Sequence, residues 1–441
     1  MHDTSDSLLD GTPYATYVYS YPHKTAYRTL DPAPSLRALW AKERLDALFL
    51  YLHVPFCEMR CGFCNLFTTV HPGQDIVEDY LGALERQAVQ VRGALGDEAR
   101  FAQLAVGGGT PTYLDPGQLQ RLFAIIKGTM GAATAHIPVS VETSPQTATA
   151  DRLAVLQEHG VDRVSIGVQS FLDDEVNAIN RRQQVREVEA ALGRIRAARI
   201  STLNLDLMYG LPGQSAQSWQ RSLEIAMGWD AEEIYLYPLY VRPLTRMGVS
   251  DAQWDDERLA LYRQGRDVLL EAGYRQVSMR MFQKPGGGQE ASALYRCQED
   301  GMVGLGCGAR SYTRQVHYSS AYAVGPKHVK GIIRSFIAQS DEDFARAQYG
   351  VMLDREDQLR RYTILSLLSE QGLNRAHYTE RFGTDPLADL PRLAHLQERG
   401  LATLDGQVLS LTAKGMERSD AIGPWLFSTR VQALMEAYDA Q

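Results

Sequence analysis

Three of the chain's five cysteines, Cys57, Cys61 and Cys64, lie within the eight residues CEMRCGFC. Thiolates are soft ligands that select zinc, copper(I) or iron-sulfur clusters. Three thiols so close cannot all pair with one another, and an odd total of five is unlike the even, dense framework of a disulfide-stapled secreted domain. A closed structural zinc site takes four protein ligands, commonly from two C-x2-C knuckles, and no second pair stands nearby. His53 is close in sequence, but strand alternation need not turn it toward the same loop. A cubane cluster is a different case, because three cysteines can hold three irons and leave the fourth open to a non-protein ligand. An open iron is a reactive site. The two remaining thiols, Cys297 and Cys307, read as small buried or surface groups rather than further ligands.

Such a loop needs a scaffold, and the pattern around it supplies one. Residues 47–54, 101–106, 137–142, 163–168, 202–208 and 233–238 are short, apolar, β-prone runs, several followed directly by Gly, Pro or Ser. Between the first two, Ile76, Tyr80, Leu84, Ala88 and Val91 recur at helical spacing, and similar helices are expected near 116–128, 149–159, 184–198 and 215–228. Strict alternation of strand and helix implies parallel strands joined by right-handed crossovers. The alternation stops after Pro243, so the expected fold is α/β, an open, partial (β/α)6 TIM-like barrel. Reactive groups in such folds gather where strands end. The cysteine loop, the GGGTPT turn, Glu142, Gln169 and Asp206 all fall there.

Four regions follow from these shifts in pattern: an N-terminal arm (1–45), the barrel (46–245), a barrel extension and connecting region (246–355), and a C-terminal domain (356–441). The connecting region carries two Gly-rich segments, KPGGGQE and VGLGCGARSYT. In the last region QLRRYTILSLLSEQGL and LPRLAHLQERGLATL read as amphipathic helices and ATLDGQVLSLTAKG as a hairpin with an Asp-Gly turn. This predicts a helical, winged-helix-like cap. It has no dense Arg/Lys stripe, and a formal charge of -8 argues against nucleic acid as the partner. The N-terminal stretch lacks the basic start and apolar run of a signal peptide, and no segment is apolar enough to span a bilayer. A cytoplasmic protein is expected.

The phrase YLHVPFCEMRCGFC, with C-x3-C-x2-C spacing and an aromatic before the last Cys, resembles the signature of radical S-adenosylmethionine (SAM) enzymes. Within them it is similar to the branch of oxygen-independent coproporphyrinogen III dehydrogenase and its heme-chaperone relatives (HemN/HemW-like). GGGTPTYL, VSVETSP, VSIGVQSF, NAINRRQ and NLDLMYGLPGQ continue the resemblance in order through residues 51–245, and VGLGCGARSYT and LSLTAKG extend it more weakly. The family implies a [4Fe-4S] cluster on Cys57, Cys61 and Cys64. Its open iron would be chelated by the amino and carboxylate groups of S-adenosylmethionine, which one electron cleaves to methionine and a hydrogen-abstracting 5'-deoxyadenosyl radical.

Resemblance also assigns cofactor contacts to Tyr51, Phe63, Gly108, Gly109, Thr110, Glu142, Gln169, Arg181 and Asp206. Taken singly, each has a plain structural reading: a tight strand-to-helix turn for GGGT, helix caps or surface ion pairs for the carboxylates, a solvated helix arginine, core aromatics. The ordered series lifts them above that. The implied partners are a small-molecule substrate, a porphyrinogen or heme, and a flavodoxin- or ferredoxin-type electron donor. Oxidative decarboxylation of a porphyrinogen is the first expected activity; radical methyl transfer or cyclopropane formation with two SAM molecules and heme trafficking are the alternatives. The arm YVYSYPHKTAYR and the segment NRRQ are similar to the dehydrogenase, whereas Asn65 and Leu66 follow Cys64 where the dehydrogenase has Gly-Cys. Arg310 and Pro238 fall where a second SAM contact is implied, Arg310 in place of an apolar residue. His23 and Lys24 are expected in a surface loop, and Gln183 beside a cofactor or a buried backbone group.

Overall fold

The computed structural model describes residues 7–18, 20–240, 252–287, 295–323 and 325–438. The expected domain boundary near 243–246 and the end of the Gly-rich turn at 288–290 lie outside the described residues. All six expected strands form: β1 (Leu48–Val54), β2 (Phe101–Gly108), β3 (Val139–Thr143), β4 (Arg163–Gln169), β5 (Thr202–Tyr209) and β6 (Glu233–Pro238). They pair in parallel in chain order, with a helix in every crossover.

Alternation divides each strand between two environments. Leu48, Leu50 and Leu52 are fully buried and share one apolar cluster with Val77, Leu81 and Leu84 of the helix Gln74–Leu95. Each such leucine contributes about 1.5–3 kcal/mol by leaving water. Phe49 and Tyr51 turn to the inner face and are only half buried. The helix Pro116–Ala124, which follows the glycine turn, starts on a capping box: Asp115 accepts the Gln118 N–H, Gln118 accepts the Asp115 N–H, and proline fills the first helical position.

The six-stranded partial barrel forms as expected, and the connecting region extends its sheet. A seventh parallel strand, β7 (Met302–Leu305), pairs with β1, and antiparallel strands extend both edges into one thirteen-stranded sheet. Only four residues long and part glycine, β7 lacks the apolar run by which the other six are legible.

The C-terminal region has the expected winged-helix-like form, three short strands in the order Leu373–Asn374, Val408–Leu411, Ala402–Asp405 with helices packed on them. Two details differ. The helix Arg355–Leu367 is enclosed by neighbours around much of its girth rather than presenting one wet face. The hairpin turn is Gly406–Gln407, since Asp405 still pairs with Val408. Nor is the N-terminal arm loose: Tyr21 and Ala26 belong to the C-terminal core, and Arg28–Thr29 pairs with Tyr349–Met352. Among the described residues no helix is long and apolar enough to cross a membrane.

Candidate functional site

Cys57, Cys61 and Cys64 are half buried on the loop that leaves β1. A two-residue parallel bridge, Phe56–Cys57 against Thr69–Val70, closes the loop's base. Its middle is pinned by the Gly62 N–H to the Ile179 carbonyl at 2.9 Å, and a Cβ on Gly62 would lie 2.8 Å from that oxygen. Gly62 therefore lets the cysteine loop approach the Ile179 backbone, a part that the spacing of the cysteines conceals. The only available signal was a side-chain-free residue between two ligands.

The glycine turn after β2 lies against the same loop. Gly109 donates to the Val54 carbonyl at 2.8 Å, Thr110 donates to the Phe56 carbonyl at 2.7 Å, and the Thr110 hydroxyl lies 3.4 Å from Cys57 Sγ. Any Cβ on Gly109 would stand 2.5 Å from the Phe56 carbonyl oxygen; on Gly108, whose φ is +122°, it would stand 2.8 Å from the His53 ring. These glycines are required for close approach as well as for turning. His53 meets the far end of the loop, Nε2 lying 2.9 Å from the Phe67 carbonyl, and burial lowers its pKa to about 4. It is a neutral brace with Tyr51 Oη 3.3 Å from Nδ1.

Two carboxylates share this end of the barrel. Glu142 accepts the Gly108 N–H at 2.9 Å; the lumen leaves it open to solvent while protein surrounds it otherwise, and this enclosure raises its pKa. Asp206 accepts from the Asn204 amide at 2.8 Å, and burial pushes it from 3.8 to about 7. Deeper in the lumen Arg163 binds Glu233 at 2.7 Å and the Ser140 hydroxyl at 2.8 Å, a buried charge pair that no motif announced.

Gln169 ends β4 at φ +68°, on an irregularity that leaves an extra residue between Gly167 and Gln169 opposite Asp206 and Leu207. Arg181 reaches back to it, donating to the Gly167 carbonyl at 2.6 Å, to Gln183 at 2.6 Å and to Cys61 Sγ at 3.3 Å. Gln183 in turn donates to the Val168 carbonyl at 2.6 Å. Phe63 packs with Ile179, Met208, Leu211 and Leu239. The expected site residues thus lie on one end of the barrel, while Cys307 is buried in the core and Cys297 lies at the surface.

The donor set suits an iron-sulfur cluster. Among the described residues no three His, Cys, Asp or Glu side chains converge to hold a single metal ion. Burial raises Cys57 to about 12, opposed by the Thr110 hydroxyl, and burial also raises Cys64. Bare thiolates are disfavoured there, and cationic irons would supply the missing countercharge.

Residues 51–226 match the Radical SAM superfamily and residues 353–417 the HemN C-terminal domain. The chain is 29% identical to heme chaperone HemW of Bacillus subtilis over 83% of its own length and 95% of that protein's. It is 29% identical to oxygen-independent coproporphyrinogen III oxidase of Escherichia coli, covering 90% of this chain and 91% of that one. The solved coproporphyrinogen III oxidase (HemN) from Escherichia coli, a radical SAM enzyme, superposes with a TM-score of 0.79 at 24% identity, over 93% of this chain and 96% of that one. The fold is shared from the arm to the C-terminal domain.

Proposed function

Because this chain belongs to the HemN/HemW coproporphyrinogen III oxidase-like family of radical SAM enzymes, we propose that its barrel abstracts hydrogen from a carboxylated porphyrinogen, leading to oxidative decarboxylation. One observation carries the reading: three thiols, a glycine-lined backbone turn and two carboxylates, Glu142 and Asp206, meet at one end of the barrel. Cys57, Cys61 and Cys64 would hold the [4Fe-4S] cluster. When bound and reduced, the cluster and S-adenosylmethionine supply a 5'-deoxyadenosyl radical; the protein supplies position and exclusion of water.

Glu142 and Asp206 would accept hydrogen bonds from the cofactor's ammonium or ribose hydroxyls, and Asp206 would lose its proton as the cation arrives. The backbone at Gly108 and Gly109 leaves room for the methionine end, with the Thr110 hydroxyl beside it. Tyr51 and Phe63 would flank the cofactor, and Gln169 would offer an amide to it. Arg310 shares a sheet face with Tyr51, and the charges of Arg310 and Lys24 both reach His53. This supports a single bound SAM, with the position implied for a second one given to a substrate carboxylate.

A flavodoxin- or ferredoxin-type protein would deliver the electron, and five cysteines without a disulfide suit a reducing cytoplasm. The second reading is heme trafficking. It is favoured by Asn65 and Leu66 after Cys64, where the dehydrogenase resemblance calls for Gly-Cys. The test is anaerobic: reconstitute with iron and sulfide, add dithionite and SAM, and measure 5'-deoxyadenosine for wild type and Cys61→Ala. Cysteine-dependent 5'-deoxyadenosine, and carbon dioxide on adding coproporphyrinogen III, support the enzyme reading. S-adenosylhomocysteine as product would mean methyl transfer. Cluster-loaded protein that leaves SAM intact but transfers heme to an apoprotein would move the function to trafficking.

A further inference from the structure

Each cluster cysteine has its own hydrogen-bond donors: the Thr110 and Thr68 hydroxyls at Cys57, the Leu66 N–H at Cys64, and the Arg181 guanidinium at Cys61. Of these donors, only the guanidinium carries a full charge. From this contact we infer that Arg181 is a positioning residue that sets the reduction potential of the cluster, an inference that rests on the radical SAM reading above. A one-electron reduction takes [4Fe-4S]2+ to [4Fe-4S]+ and adds one negative charge to the cluster and its thiolates. Hydrogen bonds and positive charge at the sulfurs favour the more negative state and raise the potential.

The contact is built into the fold. Val168 bulges out of the β4 pairing, and the Gly167 carbonyl accepts Nη2 of Arg181 at 2.6 Å. Gln183, only 4% exposed, is held by the Val168 carbonyl and fixes Nε at 2.6 Å. The Ile179 carbonyl, two residues before Arg181, holds the Gly62 N–H next to Cys61. Bulge, turn and cysteine loop are therefore tied to one another by hydrogen bonds, and Nη1 is left aimed at Cys61 Sγ at 3.3 Å. A guanidinium that served only a bound cofactor would not need to touch the sulfur.

The test is a redox titration of the reconstituted full chain with dithionite, followed by electron paramagnetic resonance without SAM. Iron and sulfide are counted for wild type, Arg181→Gln, Arg181→Lys and Gln183→Ala. Arg181→Gln should lower the midpoint enough to cut the ratio of reduced to oxidised cluster about tenfold at a fixed potential, about 59 mV for one electron. Arg181→Lys keeps the charge and loses the fork, so its midpoint should fall between the two. Gln183→Ala should shift the same way by less. If Arg181→Gln carries a full cluster at the wild-type midpoint, the inference is overturned, and weaker SAM binding alone would then make Arg181 a cofactor contact only. Should Arg181→Gln not hold a cluster, a negative shift in the other two variants supports the inference and an unchanged midpoint in both defeats it. Wild type that takes up no cluster would defeat the radical SAM reading itself.

Discussion

Gly109→Ala probes how tightly the glycine turn and the cysteine loop are fitted. The new methyl would stand 2.5 Å from the Phe56 carbonyl oxygen and 2.7 Å from Thr68 Oγ1. Ordinary carbon-to-oxygen contacts need about 3.3 Å, so the two backbones must separate by about 0.8 Å. The Phe56 carbonyl also accepts the Thr110 N–H at 2.7 Å, and the Gly109 N–H donates to Val54 at 2.8 Å. Both bonds stretch to the limit of useful geometry, at about 1 kcal/mol each. Overpacking adds roughly 1–3 kcal/mol. The expected loss is about 3–5 kcal/mol, and Cys57 moves with Phe56.

The assay is urea unfolding of the apoprotein, paired with iron content after reconstitution. Gly93→Ala is the control, because Gly93 is exposed in the helix Gln74–Leu95 and a Cβ there meets nothing within 4 Å. It should be stabilising by roughly 0.5–1 kcal/mol with full iron loading. A Gly109→Ala protein that loses less than about 1 kcal/mol and loads iron like wild type would refute the close-approach account.

Asp206 adds a pH signature. Its folded carboxyl, at about 7 against an ordinary 3.8, holds a proton that the unfolded chain has released, so its contribution to apoprotein stability is full below pH 4 and lost as pH rises through 7. Asp206→Asn should flatten that part of the stability profile, and SAM binding should strengthen through pH 7 in wild type only; identical profiles would count against the assignment. Asp357 is fully buried and accepts from the Tyr21 hydroxyl at 2.8 Å and the Ser428 hydroxyl at 2.9 Å, with Arg430 as its ion-pair partner. Removing it as Asp357→Ala should cost roughly 2–4 kcal/mol and make the arm around Tyr21 an early protease target; an arm that resists cleavage as in wild type would show that the apolar contacts alone hold it.

Much of the barrel was legible because strand and helix leave different marks in the chain, a short apolar, β-prone run for one and a 3.6-residue apolar period for the other. The cysteine loop was legible because its ligands are neighbours in sequence, so residue type and spacing state the chemistry directly. Short, glycine-containing β7 has no period to read, and it pairs with β1 only because the packed barrel leaves that edge available. Long-range contacts were equally hidden. Arg181 lies 120 residues from Cys61, and Arg163 lies 70 from Glu233. Their meetings depend on strand register and on a bulge in β4, both set by the packing of the whole sheet. The same holds for protonation: the sequence placed Asp206 late in its strand, but the atoms closing around it decide that it holds a proton near neutrality, because desolvation is a property of surroundings and not of residue type.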